Sequence, residues 1–171
     1  DTLGDLTGIL AEGAMRLVER TLPGPGIEET VTALETCQQT LWELGLTAVH
    51  DFDGPTCLQA LRIMRERGRL AIRVLKGIPL EMLDAAASMG LRSGSGDEWI
   101  RIGAVKAFAD GALGPRTAAM LSPYDGEPEN LGCCLHDRRS LTEIGRRAFS
   151  NGLPQRVPGL RGRANPRTGA S

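Results

Sequence analysis

The sequence predicts an α/β fold built on a parallel sheet. Two observations carry that reading. Short runs of β-branched and apolar residues alternate with longer stretches whose apolar residues recur at a helical period. Glycine or proline punctuates most of the changes between the two. Strands separated by helices pair in parallel, because the helix carries the chain back to the end at which the first strand began.

Residues 1–26 form a lead-in with one short helical pattern, Ile9 to Arg20, ended by "LPGPG" at 22–26. From Ile27 the apolar positions Val31, Leu34, Leu41 and Leu44 fall near a helical period. Glu28 and Glu29 suit a first helical turn, and Gly45 suits a stop. "LTAVHDF" (46–52) reads as a strand and "PTCLQALRIMRERG" (55–68) as a helix closed by Gly68. "LAIRVLKGI" (70–78) reads as a second strand. "PLEMLDAAASMG" (79–90) reads as a helix opened by proline. A flexible turn, "RSGSGDE" (92–98), leads to the strand "WIRIGAVKAFA" (99–109). Ser140 and Glu143 stand at capping-box spacing at the head of a helix that closes at Asn151-Gly152.

Three βα units are thus visible. A doubly wound sheet and a segment of a (β/α)8 barrel both fit, and periodicity does not separate them. A full barrel needs about 250 residues, so in a chain of 171 residues a barrel is partial.

Composition is ordinary for a globular protein, with 41% hydrophobic and 24% charged residues. A net charge of −1 argues against nucleic acid or an anionic membrane as partner. Aromatic residues at 4% leave little to stack single-stranded bases on. No apolar run approaches the roughly 18 residues of a membrane span, and no signal peptide opens the chain. Cys37, Cys57, Cys133 and Cys134 form no CxxC pair, which suits reduced thiols in the cytoplasm. Asp1 in place of Met suggests a cut or processed N-terminus.

The last 21 residues differ: they hold four Arg, four Gly and three Pro without an acid, a net of +4 against −5 for residues 1–150. Pro154, Pro158 and Pro166 would interrupt a central strand or helix. The expected division is a folded body over 1–152 and a disordered basic tail over 153–171.

Parallel α/β sheets carry function at the carboxyl ends of their strands. His50 and Asp51 close the first strand; Lys106 and Asp110 close the third. His50 can be a ligand or base, or a hydrogen-bonded structural group. Asp51 can bind a cation, or cap the following turn. Lys106 stands between Val105, Ala107 and Phe108, so its ammonium must be paired or modified if buried. Pairing with Asp110 is one outcome. Carboxylation to a carbamate that bridges two metals is the other. The chain has two His, His50 and His136, and no HxH or HExxH, so its own residues make no closed zinc site. No phosphate-binding glycine loop occurs.

"VKAFADGALGPRTAAMLSPYDGEPENLG" (105–132) resembles the segment VK-x-F-x-DG-[SA]-LG-x-RTA-x-L-x-x-PY…G of the amidohydrolase superfamily. The likeness is to the branch of N-substituted formamide deformylases and related metal-dependent hydrolases. "GLTAVHDF" (45–52) is similar to that branch's "GITSVHD" strand, and "TGILAEGAMRLV" (7–18) to its "TGVLREAA" lead-in. The resemblance implies a partial (β/α)8 barrel and hydrolysis of non-peptide C–N bonds in a small-molecule amide, formamide or cyclic amide. It implies a divalent metal, commonly zinc, that activates water. It sets Lys106 where the superfamily has a carboxylated metal-bridging lysine, and Asp110, Gly111 and Arg116 on the pocket rim. The HxH strand would precede Asp1. After Gly152 "LPQRVPGLRGRAN" replaces the family's "VAVHAIGDRAN", so a ligand His is missing and the change has the form of a reading-frame slip.

The expectation is therefore an amidohydrolase fragment that binds no metal and catalyses nothing alone, and that self-associates through open sheet edges. The alternative is a small stand-alone α/β binding module, monomeric and cooperative in unfolding.

Overall fold

The structure is a computed structural model that describes residues 8–10 and 12–157. In chain order its elements are α1 (Met15–Glu19), α2 (Ile27–Glu43), β1 (Ala48–Asp51), α3 (Pro55–Glu66), β2 (Arg73–Pro79), α4 (Leu83–Ser88), β3 (Ile100–Lys106), α5 (Arg138–Ser150) and β4 (Gln155–Arg156). Short 3-10 turns precede α1 and α4. The described residues divide into two compact units, one of residues 25–108 and 138–157, the other of residues 8–10, 12–24 and 109–137.

The first unit holds the sheet. Its strands are all parallel and stand in the order β1-β2-β3-β4. Val31 of α2, Leu61 and Met64 of α3, Val74 of β2 and Ile100 of β3 share one core cluster. Ile78, Leu83, Val105, Ala148 and Leu153 share another, with α4 and α5. Val74 and Ile78 project from the same side of β2, because side chains alternate with a period of two. Helices α3, α4 and α5 therefore cover one face of the sheet. A doubly wound sheet has helices on both faces, so sequential parallel strands with one covered face make this a partial (β/α)8 barrel. The other face is the inner face of that segment.

The helices stop alike. Beyond α2, Gly45 takes φ +74°, its N–H bonds the Trp42 carbonyl at 2.8 Å, and the Leu46 N–H bonds Leu41 at 2.8 Å. A left-handed turn here suits glycine, and the two bonds satisfy carbonyls that the helix leaves open. The same pair of bonds recurs at Gly68, Gly90 and Gly152. At Gly90 and Gly152 the next residue is leucine, and Leu153 is fully buried.

Several elements differ from expectation. The pattern over Ile9–Arg20 yields only the five residues of α1. Pro79 ends β2 rather than opening a helix, because it still pairs with Lys106. Helix α5 begins at Arg138, which sets Ser140 inside it. The change to a tail expected at 153 is not seen there: Leu153 is buried and β4 pairs with β3. Pro154 is tolerated because it stands just before β4, where its carbonyl accepts the Val105 N–H at 2.9 Å and no donor is needed. The rest of the expected tail, 158–171, lies outside the described residues.

In β3 the register against β2 slips by one residue, from Lys76↔Ile102 to Ile78↔Val105. This irregularity keeps both Ile102 and Val105 in the helix-facing core. It also turns Lys106 to the inner face.

Candidate functional site

On the helix-facing side, Asp51 and Lys76 stand opposite each other in the parallel β1–β2 ladder. The Lys76 side chain is 2% exposed and that of Asp51 16%. The ammonium donates to Asp51 Oδ2 and to the Asp53 carbonyl. Asp51 Oδ1 accepts the Asp53 N–H at 3.2 Å, so the carboxylate also holds the turn after β1. Cys57, in the first turn of α3, lies 3.6 Å from Asp51 Oδ2. Burial, and then the Asp51 charge, push its thiol up to about 12.

Asp51, Asp53 and Cys57 have ligand atoms within 4.8 Å of one another, the one such group of three among the described residues. It does not suit a metal. The Lys76 ammonium already takes Asp51 Oδ2, and its buried positive charge opposes a cation beside it. This cluster is a buried ion pair that ties β1 to β2.

The inner face carries the other strand-end residues. Lys106 is the last residue of β3 and is half-buried. Its ammonium lies 4.5 Å from the Phe52 ring centroid and 4.9 Å from that of Phe108. Cation–π attraction thus takes part of the place of a counter-ion. Phe52 comes close because β2 has glycine beneath it: a Cβ on Gly77 would meet the ring at 2.2 Å. His50 is exposed on this face, its Nδ1 3.1 Å from Arg156 Nη1. His50 and Asp51, adjacent in sequence, therefore face opposite sides of the sheet. A lone imidazole beside a guanidinium is not a metal site, and the donors present on this face do not complete one.

Asp110, Gly111 and Arg116 belong to the second unit, where they build a loop. Asp110 is 4% exposed and its Oδ2 accepts the Ala119 N–H at 3.1 Å. A Cβ on Gly111 would meet Thr117 Oγ1 at 2.3 Å, so the tight turn needs glycine. Arg116 takes φ +56° and pairs with Glu127, while Asn130 Nδ2 bonds its carbonyl at 3.1 Å. Tyr124 closes the loop with a 2.9 Å bond to the Ala118 carbonyl.

Sequence reasoning missed Lys76, Arg101 and Arg156. The signal for Lys76 was on the page: "RVLKGI" is an apolar strand with an embedded lysine, as is "VKAF". Arg156 was hidden by the prolines around it.

Residues 1–162 match the amidohydrolase family. The Bacillus subtilis (strain 168) protein YtcJ is 30% identical over 159 residues, which is 90% of this chain and 30% of that protein. The Arabidopsis thaliana protein LONG AFTER FAR-RED 3 is 27% identical over 174 residues, 95% of this chain and 30% of its own length. Two solved structures share the fold. An uncharacterized metal-dependent hydrolase from Pyrococcus horikoshii OT3 aligns with TM-score 0.72 and 31% identity, over 86% of this chain and 30% of its own. One from Pyrococcus furiosus aligns with TM-score 0.74 and 28% identity, over 86% of this chain and 31% of its own. The chain thus spans about a third of the length of the proteins it matches. With a parallel sheet covered by helices on one face and a family match over residues 1–162, this chain belongs to the amidohydrolase family.

Proposed function

We propose that this chain supplies four consecutive strands, β1 to β4, of a metal-dependent amidohydrolase that cleaves a non-peptide C–N bond, an amide, formamide or cyclic amide. In that enzyme Lys106, in carboxylated form, would help to hold a divalent metal, zinc in this reading, which would supply the activation of water. The observation that carries the reading is the placement of Lys106. It ends a parallel strand and faces away from the helices, at the end of the strands where such barrels build their sites. The formamide deformylase-like branch rests on the 105–132 motif. The compartment proposed is the cytoplasm, consistent with four free thiols.

Alone, the chain is proposed to hold no tight metal and to have no amidase activity, because one carbamate cannot replace the roughly four ligands zinc takes. Edge strands β1 and β4 are proposed to drive self-association. Intact-mass spectrometry in bicarbonate with zinc, beside a metal assay after dialysis, tests this. The expected result is an unmodified mass and substoichiometric metal. Stoichiometric zinc with amidase activity abolished by Lys106→Ala would show that the chain builds the site unaided. Grafting residues 25–157 into the matching third of the Bacillus subtilis relative tests the parent role: metal lost on Lys106→Ala supports it, and metal fully retained overturns it.

A further inference from the structure

The inner face carries a basic site that the metal reading does not use. A cavity of about 310 Å³ is lined by His50, Arg101 and Arg156, with Ser93 on its wall. No carboxylate lines it. Arg101 and Arg156 are both exposed, and neither makes an ion pair among the described residues. The neighbouring acid in sequence, Asp51, faces the helices and is held by Lys76.

Register brings His50 and Arg101 to one level. His50 stands opposite Leu75, and Leu75 opposite Arg101. The side chains of His50 and Arg101 thus rise from the same row of the sheet with one strand between them, about 10 Å apart at the backbone. Arg156, from β4, reaches this row as well, since its guanidinium lies 3.1 Å from His50 Nδ1. A guanidinium only donates, so Nδ1 is the acceptor in this contact and Nε2 is left to meet a further group. Gly77 and Gly103 also line the cavity, and a Cβ on Gly77 would meet the Phe52 ring at 2.2 Å. A Cβ on Gly103 would meet the Leu75 side chain at 3.1 Å. Glycine within a strand marks a place where another group approaches the backbone closely.

We propose that the inner face binds a small oxyanion, a carboxylate or a phosphate, between Arg156, Arg101 and the His50 imidazole. Guanidinium groups match both anions by paired N–H donors. Without a carboxylate in the lining, the two guanidinium groups have no internal counter-ion to displace.

Isothermal titration of the chain with sodium acetate and with inorganic phosphate, at low ionic strength, tests the site. Saturable binding of at least one anion is expected, weakened about tenfold in each of Arg101→Leu and Arg156→Leu. The exposed Arg139→Leu, on α5, should bind as the parent chain does. Stronger binding of phosphate assigns the site to phosphate esters; stronger binding of acetate assigns it to carboxylates. Of the two imidazole signals in the proton NMR spectrum, that of His50 should move with the same midpoint. Circular dichroism checks each variant, and Arg101→Gln and Arg156→Gln replace any leucine variant that does not fold. No saturable binding of either anion overturns the proposal. So does a loss at Arg139→Leu equal to that at Arg101→Leu.

Discussion

Two lysines on neighbouring strands of one sheet meet opposite fates. Lys76 of β2 points toward the helices, is 2% exposed, and is locked to Asp51 and the Asp53 carbonyl. Lys106 of β3 points to the inner face, is half-buried, and lies over the rings of Phe52 and Phe108. The helix-facing lysine has spent its charge on structure. The inner-face lysine has aromatic rings but no ion-pair partner among the described residues. The difference teaches that the face of the sheet, rather than the residue type or its apolar flanks, divides structural from available chemistry in this unit.

The largest expected effect separates the lysines directly. Lys76→Met leaves the Asp51 carboxylate without its partner in a mostly buried setting, and should cost about 3–5 kcal/mol. A urea unfolding midpoint measures it. Adding Asp51→Leu should recover most of that loss. A single-variant cost below about 1 kcal/mol would erase the contrast between the faces.

Next comes reactivity on the same buried side. With its thiol pushed up from an ordinary 9.0 to about 12, Cys57 carries about a thousandfold less thiolate at a given pH than an ordinary cysteine. Iodoacetamide labelling followed by peptide mass spectrometry should modify Cys37, Cys133 and Cys134, which are exposed, well before Cys57. The sign for stability follows. The folded pKa is raised, so the contribution is complete below pH 9 and is lost as pH climbs from about 9 to about 12. Labelling of Cys57 as fast as Cys37 would show that the helix side is not closed.

A smaller effect should have the opposite sign. The Gln155 amide Nε2 is buried with no hydrogen-bond partner among the described residues, and its Oε1 lies 2.7 Å from where a Cβ on Gly145 of α5 would stand. A polar group without a partner costs about 1–3 kcal/mol. Gln155→Leu, beside the buried Leu153, should therefore raise the midpoint by that order. A lower midpoint would mean that the amide has a role in holding β4.

The smallest effect completes the comparison. Lys106→Met gives up two cation–π contacts worth about 0.5–1 kcal/mol and leaves no buried charge behind. Its unfolding midpoint should shift by less than a third of the shift for Lys76→Met. Equal shifts would place both lysines among the structural ion pairs.

The sequence by itself determined the alternation of strands and helices, their parallel pairing and the glycine stops. These are local: period, turn conformation and chain reversal are written in neighbouring residues. The motif around Lys106 also marked the family without help from the fold. Only the tertiary structure decided which side chain faces which way. A period of two says that Lys106 opposes Val105, but not which of them meets the helices. The slip between Ile102 and Val105 sets that, since without the extra residue Lys106 would share the side of Ile102. The meeting of His50 with Arg156, 106 positions apart, likewise depends on strand order and register. So does the pairing of Asp51 with Lys76. Neither spacing has a local signature, because a parallel sheet brings its partners together only after each intervening helix has packed.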